Sequence, residues 1–461
     1  MMDTATAAEA ISAKLHGREA WFRGVTTDSR AVTPGDLFVA IKGQRFDGHD
    51  YVAQAFERGA VAAIVASDRV GSLGGTLLAV ADPVRAMGAL AAFWRRRFVM
   101  PLAAIVGSNG KTTVKEMTAA ILRAEFGEAH VFATQGNLNN AIGLPLTLLR
   151  LRAEHRAAAV EIGMNHPGET AELGAIASPT IGLINNAQRE HQEFMTSVAD
   201  VAAEHAALLH ALQERGVAVI NADDDYAPFW RGVIARRNGE GVGLTMRDFG
   251  LRAPAAVTGR YRAEPWGAVV DVTAPEGTVS IELRALGRHN VSNALGAIAA
   301  ATAAGAGLAA VAEGLAAFRP LAGRLQARVL PGAITVIDDT YNANPDSVRA
   351  AIAVLAREPS PRWLVLGDMG EVGKQGGEFH HEVGSYARAA GIDRLFGAGE
   401  LTEHAVAAFG PGAEHFGCVE SLARAVRSAI SPGVTVLVKG SRFMRMERVI
   451  AELSGAPAEV H

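Results

Sequence analysis

The feature that most constrains this chain is a seven-residue loop, Gly107-Ser108-Asn109-Gly110-Lys111-Thr112-Thr113. An apolar run at 102–106 leads into it. A helical pattern with Val114, Met117, Ile121 and Leu122 on one face leads out. A glycine loop between a buried strand and a helix is the setting of a phosphate cradle. The glycines let backbone amides approach phosphate oxygens, and the helix start adds partial positive charge. Lys111 can reach the β- and γ-phosphates, and the Thr112 hydroxyl can sit on Mg²⁺. Position 105 is Ile, so the motif is a shortened form of the eight-residue phosphate loop. A strand–loop–helix of this kind implies a parallel α/β sheet and an ATP substrate.

The rest of the chain organises around that sheet. Its 461 residues allow two to four domains. Nearly half are apolar, enough for large cores. Residues 1–98 carry short apolar runs at 37–41, 62–65 and 77–80 between turn-rich loops, the pattern of a small α/β domain. Residues 99–320 read as a central P-loop ATPase domain with a parallel sheet. Its strands are expected at 102–106, 158–162, 181–184 and 217–220, with helices at 169–177 and 198–212. Residues 261–286, punctuated by Pro265, Gly267, Pro275 and Gly277, predict an added β-hairpin or small meander. Residues 321–461 alternate strands (335–337, 363–366, 395–396, 435–438) with helices, a second open α/β sheet of Rossmann-like type. The Ala/Gly-rich stretch 291–312 predicts two buried helices with a turn at 304–307, not a membrane span.

Composition narrows the function. The net charge of −4 argues against a nucleic-acid surface. The lone Cys418 rules out a disulfide framework or a thiolate zinc site within the chain. The N-terminus lacks a basic start followed by an apolar core, so a cytoplasmic protein without membrane insertion is expected. Several residues invite chemistry, each with a plainer alternative. Glu161 ends a central strand, where a carboxylate can take Mg²⁺ or simply be a surface acid. His191 lies in a loop after Asn185-Asn186 and is a metal ligand or a solvated side chain. Thr27-Asp28-Ser29-Arg30 is, on composition, a capped turn. Asn290 and Asn293 open a helix, where asparagine caps well. Lys439 and Arg442 end the last clear strand and either hold a carboxylate or are solvated.

The phosphate loop, with Gly136-Asn137-Leu138-Asn139-Asn140, Glu161-Ile162-Gly163-Met164-Asn165-His166, Gly287-Arg288-His289-Asn290, Asp338-Asp339-Thr340-Tyr341-Asn342-Ala343-Asn344-Pro345, Gly367-Asp368-Met369 and Lys439-Gly440-Ser441-Arg442, resembles the Mur ligases over nearly the whole chain. Those enzymes are ATP-dependent amide-bond ligases of peptidoglycan precursor synthesis. The most similar branch joins D-alanyl-D-alanine to UDP-N-acetylmuramoyl-tripeptide. The resemblance implies three domains, for carrier, ATP and acceptor, and ATP with Mg²⁺. It also implies an acyl-phosphate path whose catalytic residues are Lys111, Glu161 and His191. It puts Ser29, Arg30 and Asn137 at the uridine carrier. ATP is then met by Gly107 to Thr113, Asn290, Asn293, Arg324 and Asp339, and the acceptor by Tyr341, Asn342 and Asn344. Metal ligands are Thr112, Glu161 and His191, the last for a second ion. The family's carbamate-forming lysine, about fourteen residues after that histidine, is missing. No lysine occurs between Lys115 and Lys374, and the count reaches His205 beside Glu204. Glu204 is therefore expected to stand in as the oxygen ligand. The other reading makes Glu204 a solvated helix charge. A monomer is expected. The rivals are a folate-type glutamate ligase, a sister Mur ligase adding one amino acid, and a P-loop motor or switch.

Overall fold

The computed structural model describes residues 1–455, organised by three large sheets and one two-stranded pairing of Met2–Asp3 with Trp21–Phe22. A five-stranded sheet is built from strands within residues 14–80, in the order Lys14–His16, Leu77–Val80, Ala62–Ala66, Asp36–Val39, Gly24–Thr26. It is parallel except at Lys14–His16.

The central sheet has nine strands. Strand Leu102–Val106 lies between Ala157–Glu161 and Ile181–Ile184, parallel to both. The chain first builds one side of that strand and then returns on its other side. The carboxyl edge there is a topological switch point, the usual ligand position in open α/β sheets. Alternation buries both faces: Ala103 and Ile105 join the core under helices Lys111–Phe126 and Arg288–Ala303, whereas Leu102, Ala104 and Val106 join the core on the opposite face. Strands Val257–Glu264, Gly267–Ala274 and Gly277–Leu283 form an antiparallel meander on the far edge. It begins four residues before the position read from the sequence, because Val257 pairs in parallel with Phe249 before the chain turns back.

The Ala/Gly-rich stretch folds into helices Arg288–Ala303 and Leu308–Ala317, with Gly305 at φ +98 in the turn. Among the described residues, no helix is long and apolar enough to cross a membrane.

The third sheet has six strands, in the order Gln326–Leu330, Ile334–Asp339, Thr435–Lys439, Arg362–Gly367, Arg394–Ala398, Ala413–Phe416. The first strand is antiparallel and the other five run parallel. The carboxyl end of Ile334–Asp339 leads through Thr340 to Asn344 into helix Pro345–Leu355, beside the central sheet's phosphate loop.

Candidate active site

The site begins with backbone geometry. Gly107 has φ +143, and a Cβ there would lie 2.9 Å from the Asn185 Cβ. Gly110 has φ +82 and caps helix Lys111–Phe126. A side chain at either position would be strained and would collide, so the loop can close only with glycine. The loop after strand Ile181–Ile184 holds it from one side. The Ser108 N–H donates to the Asn186 carbonyl at 3.1 Å, and the Asn109 N–H to the Asn186 Oδ1 at 2.8 Å. Gln188 exchanges hydrogen bonds with Ser108, and its Oε1 accepts from the Asn109 amide at 2.6 Å. On the other side, Asn185 donates to Asn293, which donates to Asn290. Asn290 donates to the Leu286 carbonyl. Thus Asn290 and Asn293 brace the phosphate loop through Asn185 as well as opening their helix.

Lys111 folds back over the loop. Its Nζ donates to the Gly107 carbonyl at 2.5 Å and the Ser108 carbonyl at 3.3 Å, and lies 3.3 Å from the Glu190 carboxylate. Glu190 is buried and takes a second contact from His205 Nε2 at 3.0 Å. Burial alone would push this carboxyl up. The positive charge of Lys111, the His205 hydrogen bond and nearby His191 outweigh it and hold the group at about 2. Glu190 is therefore an anion stored under the phosphate loop.

Thr112 and Glu161 meet on the opposite wall. The Thr112 hydroxyl donates to one Glu161 oxygen at 2.7 Å, and the Asn139 amide to the other at 2.7 Å. Glu161 is buried. A buried carboxylate and a hydroxyl side by side are hard oxygen donors that suit Mg²⁺. Thr113 follows, partly buried on the first helical turn. His191 sits at φ +48 with its Nε2 3.8 Å from Glu190 and its Nδ1 2.6 Å from Glu371 of the third sheet's unit. The latter is a close charge approach without hydrogen-bond alignment.

The third unit closes over this wall. The Asn344 amide donates to Asn109 Oδ1 at 3.0 Å while its own Oδ1 caps helix Pro345–Leu355. Asp339 binds the Lys439 ammonium at 2.5 Å, and Lys439 also donates to the Asn342 carbonyl. The Arg324 guanidinium stacks 4.0 Å over the Tyr341 ring. A cleft of about 520 Å³ opens between the units, lined by Asn186, Asp223, Arg252, His289, Asn293 and Arg357. Burial lowers His289 to about 4, so its imidazole is neutral on the cleft wall.

Three expected residues lie in other surroundings. Ser29 is buried and donates to Gln54, whereas Arg30 is exposed and paired with Asp28 at 2.9 Å. Asn137 is exposed in the loop before Asn139. Glu204, expected as an oxygen ligand beside His191, is used otherwise. Its two oxygens accept the Gly168 and Thr170 backbone amides at 2.9 and 2.8 Å, capping helix Glu169–Ala177 from a neighbouring helix. The residue that meets both Lys111 and His191 is Glu190, missed in the sequence; His205, which the count reached without a role, meets Glu190 in turn. Glu190 directly precedes His191 in a loop leaving a central strand, and that adjacency was the available signal. Gln188 was missed for want of any local signal.

Family models match three consecutive stretches: "Mur ligase family, catalytic domain" at residues 22–95, "Mur ligase middle domain" at 105–301, and "Mur ligase, glutamate ligase domain" at 323–442. The chain is 39% identical over 445 residues to the UDP-N-acetylmuramoyl-tripeptide–D-alanyl-D-alanine ligase of Escherichia coli, covering 96% of each chain. Among solved structures it is similar to MurF from Acinetobacter baumannii, with a TM-score of 0.89, 30% identity and 98% of each chain covered. MurF from Thermotoga maritima, solved with ADP, superposes with a TM-score of 0.80 at 26% identity, covering 94% of this chain and 97% of that one.

Proposed function

The chain belongs to the Mur ligase family, and from that premise we propose that it joins D-alanyl-D-alanine to UDP-N-acetylmuramoyl-tripeptide at the expense of ATP in peptidoglycan precursor synthesis. The observation that carries this reading is the facing of two elements. A glycine phosphate loop gripped by Lys111 opens directly onto the Tyr341–Asn344 turn of a separate unit, in contact through Asn109 and Asn344. A nucleotide and an acceptor can meet there. In this reading residues 1–98 hold the UDP carrier through Ser29 and Arg30, with Asn137 reaching it from the central unit. Residues 99–320 hold ATP, and residues 321–461 hold the dipeptide through Tyr341, Asn342 and Asn344. The protein acts in the cytoplasm as a monomer.

The chemistry follows from what each side chain can do. A tripeptide carboxylate oxygen attacks the γ-phosphorus of ATP, the bond to ADP breaks, and an acyl phosphate forms. The dipeptide amine then attacks the acyl carbon, inorganic phosphate leaves, and the amine loses a proton. Lys111 exchanges its carbonyl partners for phosphate oxygens and holds the charge that moves with the phosphoryl group. The loop amides do the same at fixed positions. Thr112 and Glu161 would hold a Mg²⁺ ion, which would supply charge neutralisation at the phosphates, and His191 would be a ligand for a second ion. Asn290 and Asn293 face the adenine side, with Arg324 and Asp339 at the domain junction. Packing of the third unit excludes water, which would otherwise hydrolyse the acyl phosphate.

Phosphate release from ATP tests the reading. It should require UDP-N-acetylmuramoyl-tripeptide and D-alanyl-D-alanine together. Equal release with single amino acids, or with no carrier present, refutes it.

A further inference from the structure

The loop that follows strand Ile181–Ile184 does two jobs. Asn186 and Gln188 hold the phosphate loop, and Glu190 holds Lys111. Between them, Arg189 points the other way, into the third unit. Its backbone N–H donates to Asp346 Oδ2 at 2.9 Å, and its Nη2 reaches Asp346 Oδ1 at 2.6 Å. Its Nη1 donates to Glu382 Oε2 at 2.6 Å and Nη2 to Glu382 Oε1 at 3.1 Å. The guanidinium also lies 5.2 Å from the Phe379 ring centre. Arg349 pairs with the same Glu382, so two cations and two carboxylates balance at the junction. Arg189, Asp346 and Glu382 side chains are 21%, 24% and 33% exposed, which takes these charges largely out of water. Both carboxylates hold the Arg189 charge firmly on, and Arg189 in turn holds Glu382 below the usual carboxylate range.

Position gives the contact its meaning. Asp346 lies on the first turn of helix Pro345–Leu355. That helix is capped by Asn344, which touches Asn109 of the phosphate loop. We propose that Arg189 is a positioning residue that clamps the start of helix Pro345–Leu355 against the phosphate loop, setting Tyr341 to Asn344 opposite the phosphoryl group. A planar fork with donors on several edges can bind two carboxylates at once, which a lysine ammonium cannot do with the same geometry. Ion pairs at such a junction gain little net energy because desolvation opposes them, so the clamp selects one docked arrangement and can still open. The inference rests on the ligase reading for its consequence and on geometry alone for the clamp.

Arg189→Ala and Arg189→Lys in the full-length protein test it. With Arg189→Ala we expect kcat to fall at least tenfold, ADP affinity to change less than threefold, and small-angle X-ray scattering to show a larger radius of gyration than wild type. Arg189→Lys should recover part of kcat and of the compactness. Asp346→Asn combined with Arg189→Ala should be no worse than Arg189→Ala alone. Unchanged compactness in Arg189→Ala overturns the clamp whatever the activity. A tenfold loss of ADP affinity, with kcat falling in step, would assign Arg189 to local folding of the phosphate loop and also overturn it. If wild-type protein ligates nothing while Arg189→Ala still expands, the ligase reading falls and the clamp stands.

Discussion

Replacing Glu190 by Gln should make the ligand-free protein less stable and its nucleotide binding tighter. The glutamine keeps the side-chain shape and an oxygen for His205 but removes the charge under Lys111. The cost has a gross and a net side. At 3.3 Å and an effective dielectric near 20, the Lys111–Glu190 attraction is about 5 kcal/mol before desolvation is subtracted. A carboxyl held at about 2, against an ordinary value near 4.5, corresponds to roughly 3 kcal/mol. The sign is that of a depressed carboxylate: the stabilisation is complete above about pH 4.5 and disappears as pH falls through about 2. At pH 7 the variant therefore loses about 2–3 kcal/mol, a fall of roughly 5–10 °C in the central unit's calorimetric transition. Phosphate oxygens can replace the missing carboxylate beside Lys111. Calorimetric titration should show ADP binding about tenfold tighter, since a nearby anion has gone, so saturating ADP in EDTA should recover about 1.4 kcal/mol of that deficit. A variant as stable as wild type, or one that binds ADP more weakly in EDTA, would refute the idea that Glu190 is a stored counter-charge for Lys111.

Four other outcomes follow from the same geometry. Lys111→Ala should reduce phosphate release by at least a thousandfold while circular dichroism stays native, and because it leaves Glu190 buried without its counter-charge it should also lower the melting temperature. Glu204→Ala should cost about 1 kcal/mol in denaturant unfolding through the lost helix cap and leave the Mg²⁺ titration of activity unmoved; a shifted Mg²⁺ optimum would return Glu204 to the metal. Arg30→Ala should raise the KM of the UDP-linked substrate at least fivefold and leave ATP affinity unchanged, as Arg30 is exposed in another unit with its guanidinium on Asp28. His289, lowered by burial to about 4, is a histidine kept neutral, so it favours the fold above pH 6.5 and penalises it progressively as pH falls from 6.5 to 4, by at most about 3 kcal/mol. His289→Gln should flatten the fall in melting temperature over that window.

Local pattern carried much of the architecture. An apolar run ending in Gly-x-x-Gly-Lys has few ways to fold, and helix Glu169–Ala177 matches its periodicity residue for residue. Some strands were not legible: Val131–Ala133 and Thr245–Gly250 pair with strands more than 20 residues away, Gln326–Leu330 pairs with the strand that directly follows it, and all three have weak patterns of their own.

The site divides the same way. Glycine, lysine and threonine in fixed order sufficed to mark the phosphate loop, because the groups that would meet phosphate all lie within seven residues. The partner of Lys111 was decided by the tertiary structure, since Glu190 is 79 positions away and reaches it only through the packing of two parallel strands. His205 and Glu204 show the reason most directly. They are adjacent in sequence, but successive residues on an α-helix point about 100° apart. One therefore enters the core beside Glu190 and the other turns to the end of a neighbouring helix. A count along the chain can bring both near the site; only the rotation of helix Val198–Ala211 against the sheet chooses between them.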